Sequence, residues 1–203
     1  MVANYKISNT LENRYKSVKY KDIEKKVEAV SRHEAFMLFE NAKKRLNDIN
    51  NWQLLCGKSP AEFRLTDALG NLRNTSVPNV GDLIKVRLYA SSKEPNKYIW
   101  YKIEGFISEK NLLKDTEDFG FNVVQVNDPS SPEETITPGD VTCTFLVTRS
   151  GCTVSAVESE RTKVVIKDAP LFLKFKQKFQ DIFSLIGSSD QQWKSLVNGV
   201  LQY

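Results

Sequence analysis

Three cysteines, one histidine and two adjacent pairs of acids are the side chains whose type and spacing could carry chemistry. Cys56, Cys143 and Cys152 have no CxxC spacing, and no histidine lies near any of them. A closed zinc site takes about four converging ligands, and the single histidine of the chain is His33. A metal centre would have to lean on carboxylates, so neither a metal nor a cofactor is expected. His33 falls in the first turn of an expected helix. A triad would need a nucleophile and an orienting acid that spacing does not supply, so it reads as a surface residue. Glu117-Asp118 and Glu133-Glu134 are paired carboxylates, able to do acid–base work when buried. On polar loops they are expected to be solvated. Gly81-Asp82 and Gly139-Asp140 each precede an expected strand and read as turns, since Gly supplies positive φ and Asp ties the backbone locally. There is no GxSxG elbow, phosphate-binding loop, GxGxxG after a strand or HExxH. No catalytic residue is assigned.

The elements that would position these groups follow from periodicity. Residues 1–22 read as a polar lead-in, and 23–30 as a short strand or part of the next helix. Ser31 and Glu34 have the spacing of a capping box. Phe36, Phe39, Leu46 and Ile49, widened by Met37 and Leu38, recur at helical spacing, which predicts a helix over 31–48. From Trp52 the period becomes two. Strands are predicted at 61–66, 83–89, 98–107, 119–126, 141–149 and 152–158. Short links between consecutive strands favour antiparallel pairing. Ser150-Gly151 is a two-residue turn signal. It would pair Arg149 with Cys152 and Cys143 with Glu158, with Val141, Cys143, Phe145, Val147, Val154 and Ala156 on one face. Cys143 and Cys152 would then lie ~20 Å apart, too far for a disulfide. Asp168-Ala169-Pro170 opens a predicted amphipathic helix over 170–186, and Asp190 can cap a last helix with Trp193, Leu196, Val197 and Leu201.

Composition sets the outer limits. The chain has 203 residues, 40% of them hydrophobic, which suits one folded domain over 1–203 rather than a disordered, collagenous or coiled-coil chain. No run of ~18 apolar residues exists, so no membrane span is expected. The opening residues lack the apolar core of a secretory signal, so a cytoplasmic protein with three free thiols is expected. The net charge of +4 alternates in blocks. Residues 109–140 hold eight acids and two lysines, and 167–178 hold four lysines and one acid. No dense basic stripe marks a nucleic-acid surface, so no nucleic-acid partner is expected.

The order of a short strand, a helix, six antiparallel strands and a long C-terminal amphipathic helix resembles the helix-grip (START-like, SRPBCC) fold. That family also expects a second helix after the first. The resemblance implies a curved sheet wrapped around the last helix, with an apolar cavity between. In sequence, NWQLLCG, EFRLTDALGN, VGDLIKVRL, TCTFLVTRSGCTVSA and QQWKSLVNGVL resemble an uncharacterised Bacteroidetes family of small cytoplasmic proteins. That resemblance implies a bacterial, single-domain protein and brings no catalytic residues.

The fold class expected is therefore α+β: about six antiparallel strands with an N-terminal helix and a long C-terminal helix on one face. The candidate partners are a small apolar ligand in a sheet–helix cavity or, alternatively, a partner protein. A cyclase-like enzyme is the third reading, which convergent buried polar groups in the cavity would favour. Alternation places Val86, Tyr101, Ile103 and Phe145 toward the cavity, and helical spacing adds Phe175, Phe179 and Ile182. Tyr101, the only one of the seven with a hydroxyl, would meet the polar end of a ligand.

Overall fold

Ser31 is extended, and its hydroxyl accepts the Glu34 amide at 3.1 Å, while the Glu34 carboxylate accepts the Val30 amide at 2.9 Å. These reciprocal bonds satisfy donors that a helix start leaves open and launch α1, Arg32–Asn47. Its buried stripe is Ala35, Leu38, Phe39, Ala42 and Leu46. Phe36 and Met37, expected in the stripe, are 39% and 47% exposed. Two alanines take the inward positions, which lets α1 lie close to the sheet.

The computed structural model describes residues 15–57, 61–88, 98–131, 141–165 and 191–202. The strands are β1 Tyr15–Glu28, β2 Ala61–Thr66, β3 Leu83–Leu88, β4 Tyr98–Asn111, β5 Thr116–Val126, β6 Val141–Ser150 and β7 Thr153–Val165. After α1 come a 3-10 turn, Ile49–Asn51, and a one-turn helix, α2, Trp52–Leu55. A last helix, α3, covers 191–200. The expected helix at 170–186, with Phe175, Phe179 and Ile182, lies outside the described residues.

The fold is α+β. All strand pairs are antiparallel, in the order β1-β7-β6-β5-β4-β3-β2. Six strands, β2 to β7, run as a meander in which each pairs with the next along the chain. The seventh, β1, realises the short strand considered at 23–30 and extends it back to Tyr15, so that 15–22 are strand. β1 pairs along β7 from Tyr15 to Glu28. Its inward positions are Lys19, Lys21, Ile23, Lys25 and Val27, so only two of five are apolar. Charged side chains are tolerated on an edge strand, where they block further pairing, and they hide the alternation that identifies a strand. β1 and α2 place a strand and a second helix ahead of the six-strand meander.

The β6–β7 hairpin turns one residue later than its sequence suggests. Ser150 pairs with Thr153, leaving Gly151-Cys152 as the loop, with Gly151 at φ 59°. A left-handed first loop position suits Gly and fits the twist of a two-residue hairpin. The pairing thus shifts by two residues, and a shift of two preserves which face each side chain takes. Val141, Cys143, Phe145, Val147, Val154 and Ala156 are all buried, as alternation demands. The partner of Cys143 becomes Glu160 instead of Glu158.

The helices and one sheet face share the core. Trp52 sits at its centre, fully buried, and its indole N–H donates to the Leu46 carbonyl at 3.1 Å. Its ring meets Phe63, Phe121 and Phe145 at 5.5, 6.2 and 5.3 Å between centroids. α3 buries Trp193, Leu196, Val197 and Val200 against the same core. Its Gly199 lies so near α2 that a Cβ would stand 2.2 Å from the Leu55 carbonyl oxygen. Arg45 of α1 donates to the Val200 carbonyl at 3.1 Å. No helix among the described residues is long and apolar enough to cross a membrane.

Candidate functional site

The sheet register carries the inner face from apolar to polar. Tyr101 on β4 pairs with Gln125 on β5, and Ile103 with Val123. Val123 pairs with Cys143, Cys143 with Glu160, Phe145 with Glu158 and Val141 with Thr162. Alternation keeps Glu158, Glu160 and Thr162 on one side of β7, in line with Val154 and Ala156. The two sequence-favoured core positions of this strand are therefore followed by three polar ones facing the same way. Tyr101, Gln125, Cys143, Glu158, Glu160 and Thr162 are all buried.

Their polar atoms are unevenly satisfied. The Thr162 hydroxyl donates to Glu160 Oε1 at 3.0 Å. Among the described residues, neither Glu158 carboxyl oxygen has a hydrogen-bond partner, nor do Gln125 Oε1 and Trp193 Nε1. Buried polar groups are nearly always paired, and leaving one unpaired costs about 1–3 kcal/mol. Trp193 reaches this face from α3, with its ring 6.1 Å from Tyr101, 5.3 Å from Phe145 and 5.8 Å from Phe63. The result is an aromatic wall beside a group of acids.

The electrostatics follow from burial. Removal from water pushes the Glu158 carboxyl from its ordinary 4.5 up to about 8, and the nearby Glu160 adds to the rise. The Lys21 ammonium and the Cys143 thiol offset only part of it, and Asp22 reinforces it. Glu158 is thus an uncharged acid at neutral pH, able to donate as well as accept. Burial also raises the Cys143 thiol, with Glu158 and Glu160 adding to it, so the thiol stays protonated. Burial raises the Tyr101 hydroxyl too, with Cys143, Glu160 and Glu158 as further causes, which places these groups within electrostatic reach of one another.

Cys143, Glu158 and Glu160 bring one donor atom each to within 4.8 Å of the others. Three donors, one of them a protonated thiol, fall short of the four of a closed zinc site. Lys21, on β1 opposite Glu160, already faces the acids with positive charge. The group is an acid cluster in an aromatic setting, and the chemistry it offers is hydrogen bonding, proton transfer and charge pairing.

Four of the seven expected cavity residues, Val86, Tyr101, Ile103 and Phe145, lie on this face and are buried. The other three, Phe175, Phe179 and Ile182, lie outside the described residues. His33 is exposed. Glu117 is not on a solvated loop: it is buried in β5 with Arg149 Nη2 at 3.1 Å and Lys110 Nζ at 2.7 Å. That pairing, led by the Lys110 bond, holds its carboxyl below the usual range, so it is a structural anion. Glu133-Glu134 lie outside the described residues. Gln125, Glu158, Glu160 and Trp193 were not singled out by sequence. The signal for the glutamates was available: the alternation that turns Val154 and Ala156 inward also turns Glu158 and Glu160 inward.

No protein-family model matches this chain, and no curated protein matches it in sequence. Solved structures do resemble it. A hypothetical protein from Helicobacter pylori superposes with a TM-score of 0.48 at 10% identity, over 88% of this chain and 86% of that one. Norcoclaurine synthase from Thalictrum flavum, in complex with dopamine and hydroxybenzaldehyde, gives 0.44 at 11% identity, over 95% and 93%. The Zhui aromatase/cyclase from Streptomyces gives 0.42 at 8% identity, over 91% and 92%. These likenesses concern the path of the chain.

Proposed function

We propose that this protein binds a small, largely apolar ligand against the inner sheet face, with the polar end of the ligand at Glu158, Gln125, Tyr101 and Trp193. The observation that carries this reading is the set of buried, unpartnered polar atoms on that face: both Glu158 oxygens, Gln125 Oε1 and Trp193 Nε1. A ligand bearing donors and acceptors would satisfy them together, and apolar walls with a few convergent polar groups are what small-molecule sites present. In this reading Val86, Tyr101, Ile103, Phe145, Phe175, Phe179 and Ile182 line the apolar part. The bacterial and cytoplasmic setting and the single domain over 1–203 remain inferences from sequence.

A second reading, acid–base catalysis on the bound ligand, is favoured by one observation. Glu158 is an acid near half-ionisation at about pH 8, which suits proton transfer near neutrality. Titration with the neutral dye Nile red, alongside native mass spectrometry of protein purified from its source, tests the ligand reading. Saturable one-to-one dye binding, weakened in Trp193→Ala, is expected. Bare chain in the spectrometer together with no dye uptake would leave an interaction module, docking a partner protein, as the better account.

A further inference from the structure

We propose that the ligand of the inner face carries a cationic nitrogen, and that Glu158 is its counter-ion. The inference rests on the reading of this face as a ligand site and names the class of ligand it selects.

Two other buried acids of this protein each have a cationic side chain in contact. Glu117 has Arg149 and Lys110 within bonding distance. Asp82 has Arg73. Glu158, at 1% exposure, has no ion-pair partner in bonding contact among the described residues, and its polar neighbour on β6 is the neutral Cys143 thiol. The neighbouring Glu160 has a neutral partner, the Thr162 hydroxyl. Two buried carboxyl groups therefore stand together where the positive charge that acts on Glu158 from the described residues is that of Lys21, against the negative charges of Glu160 and Asp22. The groups facing Glu158 are Lys21 and Asp22 from β1, Cys143 from β6, Glu160 from β7 and Tyr101 from β4. Lys19 and Lys25, farther along the same edge, are exposed. With Glu158 ionised, three carboxylates, Asp22, Glu158 and Glu160, face the single ammonium of Lys21 among the described residues.

The walls add to the selection. Phe145 is the cross-strand partner of Glu158, and Trp193 lies 5.3 Å from Phe145 and 6.1 Å from Tyr101 between ring centroids. Aromatic faces attract cations, more strongly when water is excluded. An ammonium group here would take a charge-assisted hydrogen bond from its N–H to a Glu158 oxygen, with rings around its alkyl body. A carboxylate ligand would meet two acids and be turned away. A neutral alcohol would satisfy the hydrogen bonds but leave the charge uncompensated.

A matched set of probes tests this: n-octylamine, n-octanol and octanoate, read by tryptophan emission, since Trp193 lines the site. The amine should bind at least tenfold tighter than the alcohol at pH 8, and octanoate weakest. Glu158→Gln, of nearly the same shape, should bring amine and alcohol to within about twofold. In the unaltered protein the ionised share of Glu158 is about one in a hundred at pH 6 and about one half at pH 8. The amine, like a lysine ammonium, stays charged across that range. Its affinity should therefore tighten by about fiftyfold from pH 6 to pH 8, while that of octanol stays level. Equal binding of amine and alcohol, or tighter binding of octanoate, would overturn the cation inference and leave the ligand site standing. Failure of all three probes to bind would remove the ligand site itself, and this inference with it.

Discussion

Replacing Glu158 with Gln should make the protein more stable, and by an amount that depends on pH in a specified way. The folded state raises this carboxyl from 4.5 to about 8, so the folded chain holds a proton that the unfolded chain releases. Stability then falls as pH rises between those two values, by about 1.36 kcal/mol per pH unit. The penalty is absent below about pH 4.5 and complete above about pH 8. Across those 3.5 pH units it reaches about 5 kcal/mol, of which about 3 is already present at pH 7. With Glu158 buried to 1% exposure, solvent screening does little to reduce it. Gln fills the same space and carries no charge at any pH. Urea unfolding of both proteins, followed by circular dichroism at unit steps from pH 5 to 9, isolates the effect in the difference between them, where the other titrating groups cancel. That difference should widen by about 1.4 kcal/mol per unit up to about pH 8 and then level off. A difference that stays flat from pH 5 to 9 would show that Glu158 ionises in the folded protein as it does unfolded. The enclosed, unpartnered carboxyl on which the site rests would then not exist.

Other parts of the molecule give independent checks. Gly199→Ala places a Cβ 2.2 Å from the Leu55 carbonyl oxygen, so α3 should lift off α2 and the tryptophan emission should shift to the red. Arg149→Ala removes the guanidinium held by Asp115 at 2.9 Å and Glu117 at 3.1 Å; Glu117 keeps Lys110, so the loss should cost about 1–3 kcal/mol in urea unfolding. Thiol titration should count three reactive groups in the unfolded, unreduced chain, since Cys56, Cys143 and Cys152 are all free. In the folded protein Cys152 should react first, because the other two are buried.

The fold was legible where one side of an element is apolar and the other polar. β2 matches its expected bounds to the residue, and β6 alternates along its length between buried and half-buried positions. A two-residue shift of the hairpin left every side chain on its expected face, so the core could be read although the turn was misplaced. β1 escaped for the opposite reason. Its inward side offers Ile23 and Val27 among lysines, and a strand on the rim of a sheet can be held by backbone pairing to β7 without an apolar stripe of its own. α1 lay between these cases. Its ends were marked by caps, but its buried stripe runs through Ala35 and Ala42, and small residues weigh little in a periodicity count.

The site was harder to read than the fold because its defining property is a departure from pattern. Val86, Tyr101, Ile103 and Phe145 could be placed by alternation, since they belong to the ordinary core. Glu158 and Glu160 sit at the same inward parity, yet a glutamate in a strand is normally read as a solvent-facing residue or as the strand's end. The reading of β7 as stopping at 158 reflects that habit, whereas the strand continues to Val165. Folding pays a desolvation cost to hold those carboxyls inside, and nothing in the local sequence rewards it. The adjacent pair that sequence did single out as acidic chemistry, Glu117-Asp118, includes an anion neutralised by Arg149 and Lys110. Spacing along the chain found the acids that stand together in sequence. The pair that stands together in the core, without a guanidinium or ammonium in bonding contact among the described residues and beside Tyr101, Phe145 and Trp193, becomes visible only when β6 and β7 are in register and α3 brings its indole across.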